Sequence, residues 1–238
     1  KRKAGYDGIK LYSYLSTEDY QKVMEIAKNN QLYTIGHIPF AVGLDSIITA
    51  GMDEIAHVEE LSFELINFDR TKNLNPEEWL PYIITNAMQQ NNISMEFNIK
   101  NLNNDQREQL FSMIDKLKSA EISVCTTLVV DDVIVKKLFE PESFLTRPQS
   151  RYLPQTYKQG FLQGREKHQI QFEGIKELAP FKYGLDKTLL IELHRAGIPL
   201  ILGTDSGTGT MGIVPGFSIH DELRILVENG FTSYEAIA

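Results

Sequence analysis

The chain has 238 residues, with Lys+Arg 24 against Asp+Glu 32 and a formal net charge of −8 at pH 7, a balance that argues against a general nucleic-acid binder. Hydrophobic residues at 42% and charged residues at 24% fit a folded globular protein and exclude a disordered one. A single cysteine, Cys125, excludes an intrachain disulfide and a cysteine-rich zinc site, and no apolar run reaches the roughly 18 residues of a membrane-spanning helix.

The chain opens KRKAGYDGIK, without the apolar stretch of a signal peptide. A soluble protein is expected, with the cytoplasm favoured and export left open should a leader precede this segment. Residues 8–14, GIKLYSY, read as a strand. Residues 16–30 read as a helix capped by Ser16 or Thr17, with Val23, Ile26 and Ala27 on its apolar face. A strand over 31–38, a short helix over 42–50 and a strand over 53–58 follow. Residues 60–92 look like an insertion in which Pro76 starts a helix packed through Trp79, Ile83 and Ala87. A strong amphipathic helix over 104–120, through Leu110, Ile114 and Leu117, leads into ISVCTTLVV, a β-branched run that reads as a buried strand.

The proline-rich stretch 140–161 predicts an irregular loop, with helices after it at about 163–178 and 186–196. A last strand, IPLILGTDS, precedes a helix capped by Ser218. Thr232 and Glu235 have the spacing of a capping box. Short buried strands alternating with helices predict an α/β fold with a parallel sheet. Periodicity leaves two architectures open, a (β/α)₈ TIM barrel and an open doubly wound sheet.

Lys10, His37, His57 and Asp205 all fall at the carboxyl ends of expected strands, the side on which both architectures carry their sites. Two imidazoles 20 residues apart on successive strands can converge on one ion, with Asp205 adding a hard oxygen. Taken singly, each has an ordinary explanation: a hydrogen-bonded histidine, a snorkelling lysine, a turn-forming aspartate. The shared placement is what points to a divalent metal such as zinc. His220 is a candidate for a structural or supporting role, His168 and His194 read as solvated helix residues, and Cys125 reads as a core residue. Arg147, Arg151, Tyr152 and Tyr157 are candidate substrate contacts, the arginines for a carboxylate. GTGTMG, residues 207–212, matches a dinucleotide pattern, but Pro215 and Gly216 delay the helix that such a site requires.

In order along the chain, GYDGIKLY, YTIGHIP, AGMDEIAHVEE, LILGTDSG and PGFSIHDELRILVENGFTSYEAIA resemble the metal-dependent amidohydrolase superfamily, in the branch of imidazolonepropionase and the prolidase-like hydrolases. The resemblance implies a (β/α)₈ TIM barrel present from about strand four to strand eight, with residues 1–238 forming one hydrolase domain truncated at both ends. Lys10, His37, His57 and Asp205 would end strands four, five, six and eight, and ISVCTTLVV would be strand seven. His37 and His57 would be metal ligands, Asp205 a ligand and the proton-transfer carboxylate, and Lys10, if carboxylated, a bridge between two ions. One or two divalent ions, zinc above all, are expected. The implied activity is hydrolysis of a carbon–nitrogen bond in an amide, peptide or cyclic amide by metal-activated water. Partners would be a small-molecule substrate, neither nucleic acid nor membrane, and a homo-oligomer is allowed. The sequence departs from the family in lacking the HxH pair of the first strand, which keeps open a non-catalytic fragment acting as a binding or assembly module.

Overall fold

The computed structural model describes residues 4–89, 104–171, 173, 174, 176, 178–207 and 211–238. They fall into two compact units, one of Lys1–Cys125 with Glu192–Ile201 and the other of Thr126–Ile191 with Leu202–Ala238. His168 and residues 208–210 of GTGTMG carry expectations about side chains or loop that lie outside what is described.

The first unit holds a five-stranded parallel sheet of β1 (Gly8–Leu11), β2 (Tyr33–Gly36), β3 (Glu54–Ile55), β4 (Ser123–Cys125) and β5 (Leu200–Ile201), in that spatial order. Each strand pairs only with its sequence neighbours. A doubly wound sheet requires the strand order to reverse, so this sheet is singly wound. It is open, and no closed barrel is seen among the described residues. Leu11, Ile55 and Val124 form a buried row, whereas in the preceding row Lys10 is exposed, Ile35 and Ser123 are half-buried and Glu54 is buried. Strand alternation therefore separates a packed face from a partly open one.

Gly36 is the residue on which β1 and β2 meet. A Cβ there would stand 2.2 Å from the Leu11 carbonyl oxygen, and its φ of +155° is one that L residues rarely adopt.

Helix α1 (Thr17–Asn29) is capped by Ser16, whose hydroxyl accepts from the Asp19 N–H at 3.1 Å. Its buried face is Tyr20, Met24 and Ala27, while Ile26 is half exposed. The expected face is thus rotated by one position, because Tyr20 turns inward and its hydroxyl meets the Met52 sulfur at 3.8 Å. After α2 (Leu44–Ala50) and α3 (Glu59–Glu64), α4 (Pro76–Gln89) packs Trp79, Ile83 and Ala87 inward as expected. Phe40, Trp79 and Ile83 form a small core with Phe63, Phe68 and Tyr82 around it. Helix α5 (Asn104–Ser119) buries Leu110, Met113, Ile114 and Leu117.

The second unit corrects three expectations. ISVCTTLVV is a strand only to Cys125; Val129 opens α6 (Val129–Phe139). Thr127 takes a left-handed φ of 49°, and the Glu222 carboxylate accepts the N–H groups of Leu128 and Val129 at 3.0 and 2.6 Å. A helix start satisfied from 93 residues away overrides β-propensity. The proline-rich stretch is helical, comprising α7 (Pro141–Thr146), a 3₁₀ turn (Pro148–Tyr152) and α8 (Gln155–Gln171). Pro141 and Pro148 stand in first turns, where the missing N–H costs nothing. Helix α9 (Leu178–Ala196) follows, its residues from Glu192 onward belonging to the first unit. Helix α10 (Phe217–Glu228) is preceded by Gly216 at φ 80°, so Ser218 lies inside the helix rather than at its cap. The Thr232–Glu235 capping box forms reciprocally, at 2.8 and 3.1 Å. Among the described residues no helix is long and apolar enough to cross a membrane.

Candidate metal centre

His37 stands one residue beyond β2 and extends its ladder, donating its backbone N–H to the Leu11 carbonyl at 3.2 Å. His57 stands two residues beyond β3, after Ala56 donates to the Gly36 carbonyl at 2.8 Å. Adjacent parallel strands thus release both imidazoles at the same edge. Their ring centroids are 4.9 Å apart with planes inclined at 59°. Two ring nitrogens sharing one tetrahedral zinc at about 2.0–2.1 Å would lie roughly 3.4 Å apart. The Tyr12 ring lies 4.4 Å from that of His37. Lys10, two residues before Tyr12 on β1, shares its face.

Glu60, in the first turn of α3, completes the local arrangement. One carboxylate oxygen is 2.5 Å from His37 Nδ1 and the other accepts the Ile38 N–H at 3.0 Å. Glu60 is only 3% exposed; burial pushes its carboxyl above the ordinary range, against which the His37 ring and the Ile38 N–H pull it down. An ionised Glu60 makes the ring donate through Nδ1, leaving the lone pair on Nε2. A carboxylate that orients a histidine in this way is the usual support of a metal-bound imidazole. By donor chemistry, two imidazoles with a carboxylate behind one of them are groups that suit a divalent cation. Sequence reading passed over Glu60, although a glutamate three residues after a histidine, opening a helix, was a usable signal: the Glu60 N–H donates back to the His57 carbonyl at 3.1 Å. Glu60→Gln is expected to weaken zinc binding by about 10- to 100-fold, measured by calorimetry alongside a circular-dichroism check of the fold.

The other candidates lie in the second unit. Asp205, four residues past β5, is exposed and holds a left-handed φ of 49°, a conformation that Asp and Asn tolerate better than most residues. His220 is exposed on α10. Arg147 donates to the Gly212 carbonyl at 3.0 Å and lies 3.9 Å from the Asp221 carboxylate. The Tyr157 hydroxyl donates to the Ile213 carbonyl at 2.5 Å. Together Arg147 and Tyr157 hold the segment that ends GTGTMG. Arg151 covers the Tyr152 ring at 4.6 Å and donates to its hydroxyl, while Tyr152 stacks on Phe217 at 5.7 Å. Four residues separate Gly212 from the start of α10, so no helix directly follows the glycine pattern.

Two buried ionisable groups of this unit were not foreseen. Lys137, fully buried with its ammonium 5.3 Å from the Phe161 ring, is brought down to about 8 by desolvation. Glu222 is raised to about 7, with burial as the main cause and the two α6 N–H groups acting against it.

No family model and no curated protein matches the chain. Among solved structures it is similar to a Xaa-Pro dipeptidase crystallised with methionine bound in the active site, at 15% identity and a TM-score of 0.49. The likeness covers 99% of this chain and 42% of that one, so the chain spans less than half of that protein's length.

Proposed function

We propose that the chain carries part of the active site of a metal-dependent hydrolase that cleaves a carbon–nitrogen bond of an amide, peptide or cyclic amide. The observation that carries this reading is the pairing of His37 and His57 at one sheet edge, with a Glu60 carboxylate oxygen 2.5 Å from Nδ1 of the first imidazole. The singly wound strand order supports the amidohydrolase-type (β/α)₈ barrel, of which β1 to β5 would be strands four to eight. His37 offers Nε2 and His57 a ring nitrogen; Asp205 is proposed as a third ligand, and Lys10, once carboxylated, as a fourth. A divalent cation, zinc by the softness of its imidazole ligands, supplies the Lewis acidity that makes amide hydrolysis accessible at neutral pH. Glu60 keeps the His37 ring in its coordinating tautomer. Asp205 takes the proton of the attacking water and returns it to the leaving nitrogen. The substrate is a small molecule with an amide-type bond, and no nucleic acid takes part.

The test is a calorimetric zinc titration of the wild-type chain and of His57→Ala. If four ligands share the roughly 10–16 kcal/mol of a strong zinc site, one is worth about 3 kcal/mol, and the variant binds at least about 100-fold more weakly. Equal affinity in the two proteins would overturn the reading. The missing HxH pair favours a second reading, a barrel-derived module without catalysis. A chain that binds no zinc but retains its fold is the result that reading expects.

A further inference from the structure

Tyr12 is 57% exposed and Tyr14 46% exposed, although both belong to a continuous aromatic array. The Tyr12 ring lies against His37, and Tyr14 meets Tyr12 edge-on at 5.8 Å. Tyr14 in turn rests on Phe40 at 6.0 Å, and Phe40 belongs to the buried cluster with Trp79 and Ile83. The backbone between the two tyrosines is pinned, since Phe40 donates its N–H to the Ser13 carbonyl at 3.0 Å and Ser13 is buried. The array is therefore anchored at one end in the core and ends at the other beside the imidazoles, its exposed faces turned outward.

We infer that Tyr12 and Tyr14 form an aromatic shelf that receives an apolar side group, such as that of leucine or phenylalanine, on the substrate amide. The inference rests on the metal-centre reading above. Ring faces of this kind recognise either an apolar group or a cation. A cationic group is disfavoured here, because it would sit within a few ångströms of a divalent ion held by His37 and His57 and be repelled by it. A carboxylate gains nothing from the ring faces, whose quadrupole is negative and repels an anion. Apolar contact remains, and two side chains with few rotatable bonds lose little freedom in making it.

The experiment compares acetohydroxamate and phenylacetohydroxamate binding to the zinc-loaded chain by calorimetry. Both present the same chelating group to the metal and differ by one phenyl ring. The wild-type chain is expected to favour the phenyl compound by about tenfold. Tyr12→Ala should reduce the preference to about twofold or less while acetohydroxamate affinity holds, and Tyr12→Phe should keep it. Equal affinity for the two compounds in the wild type, or an undiminished preference in Tyr12→Ala, overturns the shelf and leaves the metal centre standing. Failure of both compounds to bind the wild-type chain overturns the metal centre, and the shelf with it.

Discussion

Asp205→Asn is expected to lower kcat for amide hydrolysis by about 10²- to 10⁴-fold, the range associated with a lost general acid–base group. Asparagine is the informative replacement. It keeps the shape of the side chain and tolerates the left-handed φ of 49° at this position, so the backbone following β5 is left undisturbed. What it lacks is basicity: an amide oxygen cannot take a proton from water at neutral pH, nor return one to a leaving nitrogen. Zinc content measured on the same samples separates the two roles proposed for Asp205. Loss of the base alone leaves the metal on His37 and His57, whereas loss of a ligand removes it. A variant with unchanged kcat would take Asp205 out of the chemistry.

The second large effect concerns stability. Glu222 is fully buried, caps the amino end of α6 across the second unit, and titrates at about 7 instead of the ordinary 4.5. Its folded form binds a proton more tightly than its unfolded form does. The stabilising contribution is therefore complete below pH 4.5 and is lost as the pH rises through about 7. A shift of this size corresponds to about 3 kcal/mol at about 1.36 kcal/mol per pKa unit. Asp131, also buried and itself ion-paired with Lys182 at 2.9 Å, pushes in the same direction as burial. Urea unfolding at pH 5 and pH 8 should show the wild type losing up to about 3 kcal/mol relative to Glu222→Gln, whose neutral amide has no proton to exchange. Parallel pH profiles for the two proteins would refute the assignment.

Local periodicity carried much of the fold. Leu110, Ile114 and Leu117 repeat at helical spacing and are buried in α5, and Trp79, Ile83 and Ala87 do the same in α4. Both histidines could be placed beyond strand ends because each follows a short apolar run. What could not be read depended on groups far apart in the chain. The run ISVCTTLVV contains nothing local to stop a strand at Cys125; the carboxylate that turns Leu128 and Val129 into a helix start comes from α10. The apolar face of α1 was misjudged because Tyr20 can point either way until Met52 gives its hydroxyl a partner. Prolines in 140–161 were read as breakers, yet a proline that opens a first turn and one that ends a helix look alike until the hydrogen bonds are known. At the candidate centre the imidazoles were legible and their supporting glutamate was not, since chemistry-bearing residue types draw attention and the residues that aim them do not.

The close approach at Gly36 bears on how this centre can vary. With the Leu11 carbonyl already where a first side-chain carbon would go, even alanine at position 36 would have to wedge β1 away from β2. The imaging of that wedge falls one residue later, on His37, so the bearing of the imidazole is guarded by a hydrogen atom. Along this edge the exposed Tyr12 and Tyr14 leave room for other side chains, and Gly36 leaves none.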